Sequence, residues 1–490
     1  MTTIADRTAQ EGILTPVWSP PGGGYWEGRW QEGERSVVVT DPEDGSFVGT
    51  VMDATVAEVD RAVGYVAERW QSTPWPLWRR REALEAAADR LRESTERFVE
   101  LISAEGCKTV AESRREVARA EETLRLSARS VSELSGQTVA FDDSPRGDGW
   151  QGWCTREPLG VVAAITPFND PLNLVAHKLG PALVAGNAVV LKPAESTPLT
   201  AYALVELLLE CGVPGEYLAV VAGGAAGPAL VADRRIDVLS FTGGPTTADK
   251  IAAGGPARKL LMELGGNNAL IVCADADPDQ VAGAVVSGAF GVAGQNCLSV
   301  QRVLVAEGLY EDVLARVVAG AAALVVGGKR DPRTDVGPLI SEDAARRVEG
   351  AVAEAVALGA TLHTGGVRTG SFVTPAVLTD VPASASVRTQ EVFGPVVLLD
   401  EFSDVASAVA SANAVETGLQ AGVFTSDVTE ALRVASGLRV GAVMINESSD
   451  FRIDAMPFGG FKRSGIGREG VAAAIRELTA PKVVAIRLHG

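Results

Sequence analysis

The stretch GQNCLSV, residues 294–300, ends a run of small apolar side chains, VAGAVVSGAFGVA, on glutamine, asparagine and cysteine. Read alone, Cys297 is either a small buried hydrophobe at a helix end or a nucleophile presented to a cleft. Burial habits favour the first; the polar flank favours a cleft edge. The thiolate is the reactive form, so a nucleophile needs surroundings that favour ionisation. Partners for a Cys–His pair are scarce, since the only histidines are His177, His363 and His489. The cysteines, Cys107, Cys154, Cys211, Cys273 and Cys297, are widely spaced, with no CxxC pair. That pattern fits a reducing cytoplasm and argues against a disulfide framework or a zinc site, so no metal is expected. A second group lies in ESRREVARAEE, where Arg115 and Arg119 are four apart and share a helix face. Alternating arginine and glutamate usually marks a solvated, ion-paired face. The planar guanidinium fork also suits a carboxylate, phosphonate or sulfonate.

Such residues need a scaffold. A chain of 490 residues exceeds one core, and length predicts about two to four domains. Apolar content of 46% with 22% charged residues is that of a globular protein. A net charge of −18, with no long Lys/Arg run, would repel a nucleic acid backbone. The start, MTTIADRTAQEG, lacks a basic segment followed by an apolar one, so no secretory signal is expected. No stretch approaches about eighteen strongly apolar residues, so no membrane span is expected either. The expected setting is cytoplasmic.

Residues 1–35 read as an irregular arm leading to a hairpin, and DPEDGSFVGTV as strand, turn, strand. From about 55 to 135 apolar residues recur at three and four, which predicts helices. From 159 the period changes. LGVVAAITPFN, GNAVVLKPAES, YLAVVAG and IDVLSFTGG read as strands, with helices at PLNLVAHKLGPALVA and TPLTAYALVELLLECGVP. Alternating strands and helices predict an α/β fold with a parallel, doubly wound sheet. Ligands bind at the carboxyl ends of such strands, where TPFN, KPAE and FTGG stand. A second α/β block, with strands NALIVCA, QRVLVAEG, FVTPAVLTD and VVLLDEF, runs from about 264 to 440. PKVVAIRLHG reads as a last strand outside both blocks.

TPFN, KPAEST, FTGG, ELGG, GQNC, EVFGP and PFGGFKRSG occur in the order and rough spacing of the aldehyde dehydrogenase superfamily. The chain resembles that family over nearly its whole length, and within it the lactaldehyde and phosphonoacetaldehyde type. The resemblance implies two doubly wound parallel-sheet domains plus a small β oligomerisation element. Residues 1–135 and 159–263 would form a discontinuous dinucleotide-binding domain, and 264–440 the catalytic domain. Residues 136–158 and 478–490 would form the bridging element, and 441–477 a return segment. Such an element exposes an edge strand that another subunit can cover, so a homodimer or homotetramer is expected.

By the same resemblance, Cys297 attacks the aldehyde carbon. Asn169 and the Cys297 backbone N–H donate to the resulting oxyanion. Read alone, Asn169 is the N-cap of the helix that follows. Glu263 matches the general base that activates water on the thioester, with Gly265 and Gly266 leaving it room to move. Lys178 matches a proton-relay lysine and equally reads as a helix-surface lysine. Lys192 and Glu195 match the holders of the adenine ribose. A carboxylate there repels a 2′-phosphate, which favours NAD over NADP. Thr166, Pro167 and Phe168 would line the cofactor site. Thr242, Gly243 and Gly244 would present backbone to the pyrophosphate. Here the chain departs from the family, which often has Ser at Gly244 and Gly at Ala248, and Pro245 is unexpected. Glu391 and Phe393 match the pair at the nicotinamide ribose and ring. A GxGxxG fingerprint is absent.

For the substrate, arginines near Arg119 and Arg452 occur in relatives that oxidise small anionic aldehydes, and Arg115 shares the helix face. Asn296 stands where those relatives have arginine, and Asp170 would repel a dianion unless paired with an arginine. The expected activity is NAD-dependent oxidation of a small polar aldehyde, anionic or hydroxylated, through a Cys297 thioester. The rivals are a coenzyme A-acylating enzyme and a noncatalytic binding protein on the same fold.

Overall fold

The computed structural model describes residues 17–33 and 35–488. Residues 1–16 of the expected arm, and His489, lie outside the described residues. The first functional element is helix α1 (Val110–Arg129), opened by a capping box between Thr109 and Glu112. Then come β1 (Val161–Ile165), α2 (Asn173–Ala185), β2 (Ala188–Lys192), β3 (Leu218–Val220), β4 (Val238–Gly243), α3 (Pro245–Gly254) and β5 (Lys259–Leu264). These five strands are parallel and lie in the order β3-β2-β1-β4-β5. The order reverses between β1 and β4, so a crevice opens at their carboxyl ends. TPFN and FTGG stand there, as the sequence predicted. The hairpin Gly24–Trp26/Arg29–Gln31 extends one edge of this sheet, and Gly465–Ile466 the other.

Burial on both faces explains the apolar runs. Val162 and Ala164 of β1 enter one core, and Val161, Ala163 and Ile165 enter the core on the opposite face. The second sheet repeats this arrangement. It contains β6 (Asn268–Val272), β7 (Val300–Ala306), β8 (Ala376–Thr379), β9 (Val396–Phe402), β10 (Gln420–Phe424) and β11 (Ala442–Ile445). Their order is β8-β9-β7-β6-β10-β11, with Thr361–Thr364 antiparallel on the outer edge of β8. Leu270 and Val272 of β6 face one core, Ala269 and Ile271 the other. Because β11 lies just past residue 440, this sheet extends into the segment read as the return. FVTPAVLTD is not one strand. Phe372–Val373 pairs with Arg368–Thr369, and only Ala376–Thr379 joins the sheet. Pro375 between them has no N–H to continue a ladder.

Outside both blocks, Trp150–Pro158 pairs along its whole length with Thr479–Arg487, and Gln137–Thr138 adds a third strand. Among the described residues no helix is long and apolar enough to cross a membrane.

One buried cation ties the parts that frame the site. Lys329 is fully buried and donates to the Asp41 carboxylate of the hairpin Ser36–Thr40/Phe47–Met52. It also donates to the Gly106 carbonyl at 2.9 Å, and its own carbonyl accepts from Val110 N at the start of α1 at 3.0 Å. Removing one partner of a buried pair typically costs roughly 3–5 kcal/mol, because the other charge is stranded. Lys329→Met should therefore lower the thermal midpoint of the protein sharply, as read by calorimetry. Adding Asp41→Leu should restore part of the loss.

Candidate active site

Helix α4 (Pro278–Phe290) ends three residues before a short left-handed turn closes. Val292 (φ 52°, ψ 34°) and Ala293 (φ 52°, ψ 37°) are left-handed, and Gly294 follows at φ 68°. A β-branched residue there is a genuine outlier, and left-handed non-glycine residues cost roughly 1–3 kcal/mol each. The surroundings hold the turn. Val292 N donates to Glu112 Oε1 at 2.7 Å. The buried Gln295 amide donates to the carbonyls of Val292 (3.2 Å) and Pro338 (3.3 Å) and accepts from Ile340 N (2.9 Å). A Cβ on residue 294 would stand 2.1 Å from the Gly394 carbonyl oxygen, so only glycine fits. Beyond the turn, Asn268 Nδ2 donates to the carbonyls of Cys297 (2.8 Å) and Ser299 (3.0 Å). The strained turn thus delivers Cys297 to the amino end of β7.

Cys297 opens onto a cavity of about 480 Å³. Asn169, Asp170, Asn296, Arg115, Arg119 and Arg452, all singled out in the sequence, line the same space. Asn169 does not cap α2. That helix starts at Asn173 with Leu172 at its cap, and Glu116 Oε1 accepts from Leu172 N (2.8 Å) and Asn173 N (3.0 Å) instead. With its capping role taken by Glu116, Asn169 makes no side-chain hydrogen bond among the described residues. Burial, then the Glu391 charge, pushes the Cys297 thiol well above its ordinary value, and only Arg452 pulls it down appreciably. No histidine lines the cavity.

The charged side chains differ in how they are partnered. Asp170 pairs with the buried Lys108 and lies 3.7 Å from Arg119, so the arginine expected to offset it is present, with a lysine added. Lys108 also donates to Glu116 at 2.7 Å. Arg119 donates to Asp454 Oδ1 at 2.9 Å and Oδ2 at 3.3 Å. Arg452 donates to Glu469 Oε2 at 3.0 Å and stacks 3.9 Å over the Phe458 ring. Arg115 is exposed at the rim and makes no ion pair among the described residues.

Glu263 and Lys178 do not line this cavity. They share a separate, smaller one with Ser240, His177, Arg468 and Glu469. Lys178 is buried rather than on a helix surface. It donates to Ser240 Oγ at 3.0 Å and lies 3.8 Å from Glu469 Oε1. Burial and the neighbouring Glu469 hold the Glu263 carboxyl well above its usual range, and its Oε2 has no partner.

The crevice at β1 and β4 is a third region. The hydroxyls of Thr166 and Thr242 are buried there without partners. Lys192 ends β2, 3.5 Å from the Glu195 carboxylate. Gly244 opens α3 with no side-chain cap, and a Cβ on it would meet open space. Pro245 fits the first turn because that position's N–H has no helical partner. Ala248, a departure in sequence, is buried in the core. Pro167 is half-buried, and Phe168 meets Phe393 edge-on with ring centroids 5.8 Å apart. Glu391 accepts from Gly266 N at 3.2 Å, and burial raises its carboxyl to about 7. A Cβ on Gly265 would fall 2.0 Å from Glu391 Oε2. Among the described residues no cluster of His, Cys, Asp or Glu could hold a metal ion.

Sequence reading missed Lys108, Glu112, Glu116, Asn268, Asp450, Asp454 and Glu469. Asn268 was signalled by its place in ELGGNN, and Asp450 and Asp454 by flanking Arg452 in SSDFRIDAM. Nothing local marks Glu116 as the cap of a helix more than fifty residues away in sequence.

Comparison with known proteins gives this arrangement a class. The model of the aldehyde dehydrogenase family matches residues 30–484. Aspartate-semialdehyde dehydrogenase 1 of Pseudomonas canavaninivorans is 45% identical, over 93% of this chain and 98% of its own. The 3-sulfolactaldehyde dehydrogenase of Priestia aryabhattai is 39% identical, over 95% and 98%. A lactaldehyde dehydrogenase of Methanococcus maripaludis is 39% identical, over 79% and 83%. Aldehyde dehydrogenase 21 from Physcomitrella patens, solved in complex with the reaction product succinate, superposes with a TM-score of 0.93 at 35% identity, covering 96% of this chain and 100% of that one. An NADP-dependent glyceraldehyde-3-phosphate dehydrogenase from Bacillus halodurans, complexed with NADP, gives 0.93 at 34% identity, covering 96% and 99%. An NAD+ complex of aldehyde dehydrogenase from Bacillus cereus gives 0.91 at 30%, covering 95% and 96%. The chain belongs to the aldehyde dehydrogenase family. It is an NAD(P)-dependent enzyme that oxidises an aldehyde to its acid, and its relatives use either dinucleotide.

The fit of Gly265 against Glu391 can be tested directly. Gly265→Ala must displace the carboxylate, and misplacing a positioning group by about 1 Å can cost about 100-fold in rate. Steady-state kinetics should show that loss in kcat/KM, with a raised KM for the dinucleotide.

Proposed function

We propose that the enzyme oxidises a small anionic aldehyde with NAD and releases the free acid by hydrolysis of a Cys297 thioester. The observation that carries this reading is the shared cavity that brings Cys297, the unengaged Asn169 amide and two arginines together. The carbonyl carbon lies against Cys297 Sγ, and attack forms a thiohemiacetal. The Asn169 Nδ2 and Cys297 N–H groups donate to its oxygen. A fixed neutral amide stabilises the growing charge without reorganising.

Residues present fit a dinucleotide: the orphaned Thr166 and Thr242 hydroxyls and the open backbone at Gly244 are groups awaiting polar partners. Lys192 and Glu195 would hold the adenine ribose, Gly243 and Gly244 the pyrophosphate, and Glu391 and Phe393 the nicotinamide end. Bound nicotinamide supplies a hydride acceptor. The Glu195 carboxylate accepts from ribose hydroxyls and repels a 2′-phosphate, which supports NAD over NADP.

Glu263 then serves as base toward water. Its unpartnered Oε2 leaves it free to turn from the smaller cavity toward the thioester. A base of this kind supports hydrolysis over transfer to coenzyme A, with Lys178 and Glu469 placed to carry its proton onward. A second reading as a noncatalytic protein finds no support in this complement of groups.

Arg115 and Arg119 are the side chains we assign to the substrate's anion: Arg115 makes no ion pair among the described residues, and Arg119, although held by Asp454, keeps 35% of its side chain exposed, against 6% for Arg452 on Glu469. The relatives named for sulfolactaldehyde and aspartate semialdehyde, and the one holding succinate, favour a sulfonate or carboxylate; none is named for a phosphonate. The exposed apolar residues Trp153, Val483 and Ile486 on the three-stranded element support a cytoplasmic homodimer or homotetramer assembled through that sheet.

Glu263→Gln should accumulate an acylated Cys297, visible by mass spectrometry, and lower turnover roughly 10²- to 10⁴-fold. In the wild type, burial favours the acid form of Glu263, so the base form grows as pH rises. Hydrolysis should therefore climb with pH through a limb above the ordinary carboxylate range, and that limb should vanish in Glu263→Gln. Acceleration by coenzyme A would overturn the hydrolytic reading. In a panel of lactaldehyde, glycolaldehyde, succinic semialdehyde, phosphonoacetaldehyde and propanal, the carboxylate should lead. Arg119→Ala should raise its KM by about 10- to 100-fold, the worth of a charge-assisted hydrogen bond.

A further inference from the structure

Among the ionised groups of the Cys297 cavity, one carboxylate stands out by what it lacks. Asp170 and Glu116 share Lys108. Glu112 is consumed by the Thr109 cap and Val292 N. Glu447 is exposed and turns back onto Ser448 N at 2.8 Å. Asp450 accepts only from the Asn296 side-chain amide, and no cation among the described residues lies within ion-pair distance of it. It lines the same cavity as Asn296 and Cys297. On the cation side the odd group is Arg115, without an ion pair among the described residues, at the rim; Arg119 lies deeper, held by Asp454 at 2.9 Å and 3.7 Å from Asp170, with its remaining surface open.

An unpaired anion beside the nucleophile and an unpaired cation at the mouth define a dipolar pocket. We propose that the substrate is an amino-acid semialdehyde, its ammonium received by Asp450 and its carboxylate by Arg115 with Arg119. This rests on the anionic-aldehyde reading above and sharpens it. A short chain with an aldehyde at one end and an ammonium and a carboxylate at the other offers one group each to Cys297, Asp450 and the arginines, all of which line this cavity. A simple anionic aldehyde would use the arginines and leave Asp450 facing carbon. Burial raises the Asp450 carboxyl to about 6. A bound ammonium would offset that burial, as a charged partner does for any desolvated carboxylate. The neighbouring Asn296 is neutral where an arginine would neutralise Asp450 internally, which keeps the carboxylate available.

The test uses two aldehydes that differ in one group. Aspartate semialdehyde and succinic semialdehyde have the same chain and carboxylate, and only the first carries an ammonium. Purified full-length enzyme with NAD should favour aspartate semialdehyde in kcat/KM. Asp450→Asn, which keeps shape and the acceptor for Asn296, should reduce that preference about 10- to 100-fold, the worth of a charge-assisted hydrogen bond. Arg115→Ala should raise KM for both and leave the ratio alone. A melting midpoint near that of the wild type confirms that Asp450→Asn is folded; should it not fold, Asp450→Ser is read for the same ratio. The proposal is overturned if succinic semialdehyde is the better substrate, or if the variant slows both equally. Neither outcome harms the anionic reading. Preference for propanal over both semialdehydes would sink the anionic reading itself.

Discussion

Everything at the reacting centre depends on holding Val292 and Ala293 in a backbone shape they resist. Two left-handed non-glycine residues side by side do not persist unless the surroundings over-determine them. Here the restraint comes from one carboxylate. Glu112 Oε2 closes the capping box of α1 on Thr109, and Oε1 takes the N–H of Val292. A single side chain therefore fixes both the helix that carries Arg115 and Arg119 and the turn that presents Cys297. This bond links the helix bearing the two arginines directly to the turn bearing the cysteine. Gln295 and Asn268 complete the restraint from the other side, gripping backbone before and after the cysteine.

The same economy appears one turn further along α1. Glu116 is a buried carboxylate with almost no access to solvent on the helix surface. It instead closes the start of α2 by accepting from Leu172 and Asn173, and shares Lys108 with Asp170. A helix N-terminus favours an anion because its first N–H groups are unpaired and its dipole is positive there. Glu116 supplies that anion from a distant helix, so Asn169 is released from capping. A residue that would ordinarily stabilise α2 is left free to face the cavity.

Much of this was legible in the sequence, for physical reasons. Strands β1 and β4 are buried on both faces and so read as continuous apolar runs. The motifs stand at strand ends because a parallel sheet opens there. Helix α1 announced itself through its three-four period. The failures share a cause too. FVTPAVLTD looked uniform because apolar patterning does not register that Pro375 interrupts a ladder. Lys178 read equally as a relay lysine or a surface lysine because its partners, Ser240 and Glu469, come from elements far along the chain. Glu469 and Phe458 were likewise invisible as partners of Arg452, since they meet it only once the chain has folded.

That claim on Arg452 bears on how the chemistry is ordered. Cys297 and Glu263 are both held in their protonated forms, chiefly by burial. In the mechanism we propose, each loses its proton at a different stage, the thiol before attack and the carboxyl before water is activated. Arg452 is the one cation that lowers both. It stands on the wall between the two cavities, lining the first and bonded to Glu469 in the second. Held there by Phe458 and Glu469, it cannot follow either group as it moves. Its contribution is a fixed positive potential felt on both sides of the wall, strongest where water is excluded. A guanidinium suits that position because it stays charged when desolvated, where a lysine would surrender its proton. The arginine singled out in the sequence as a substrate ligand thus also lowers both of these groups from a place fixed by Glu469 and Phe458.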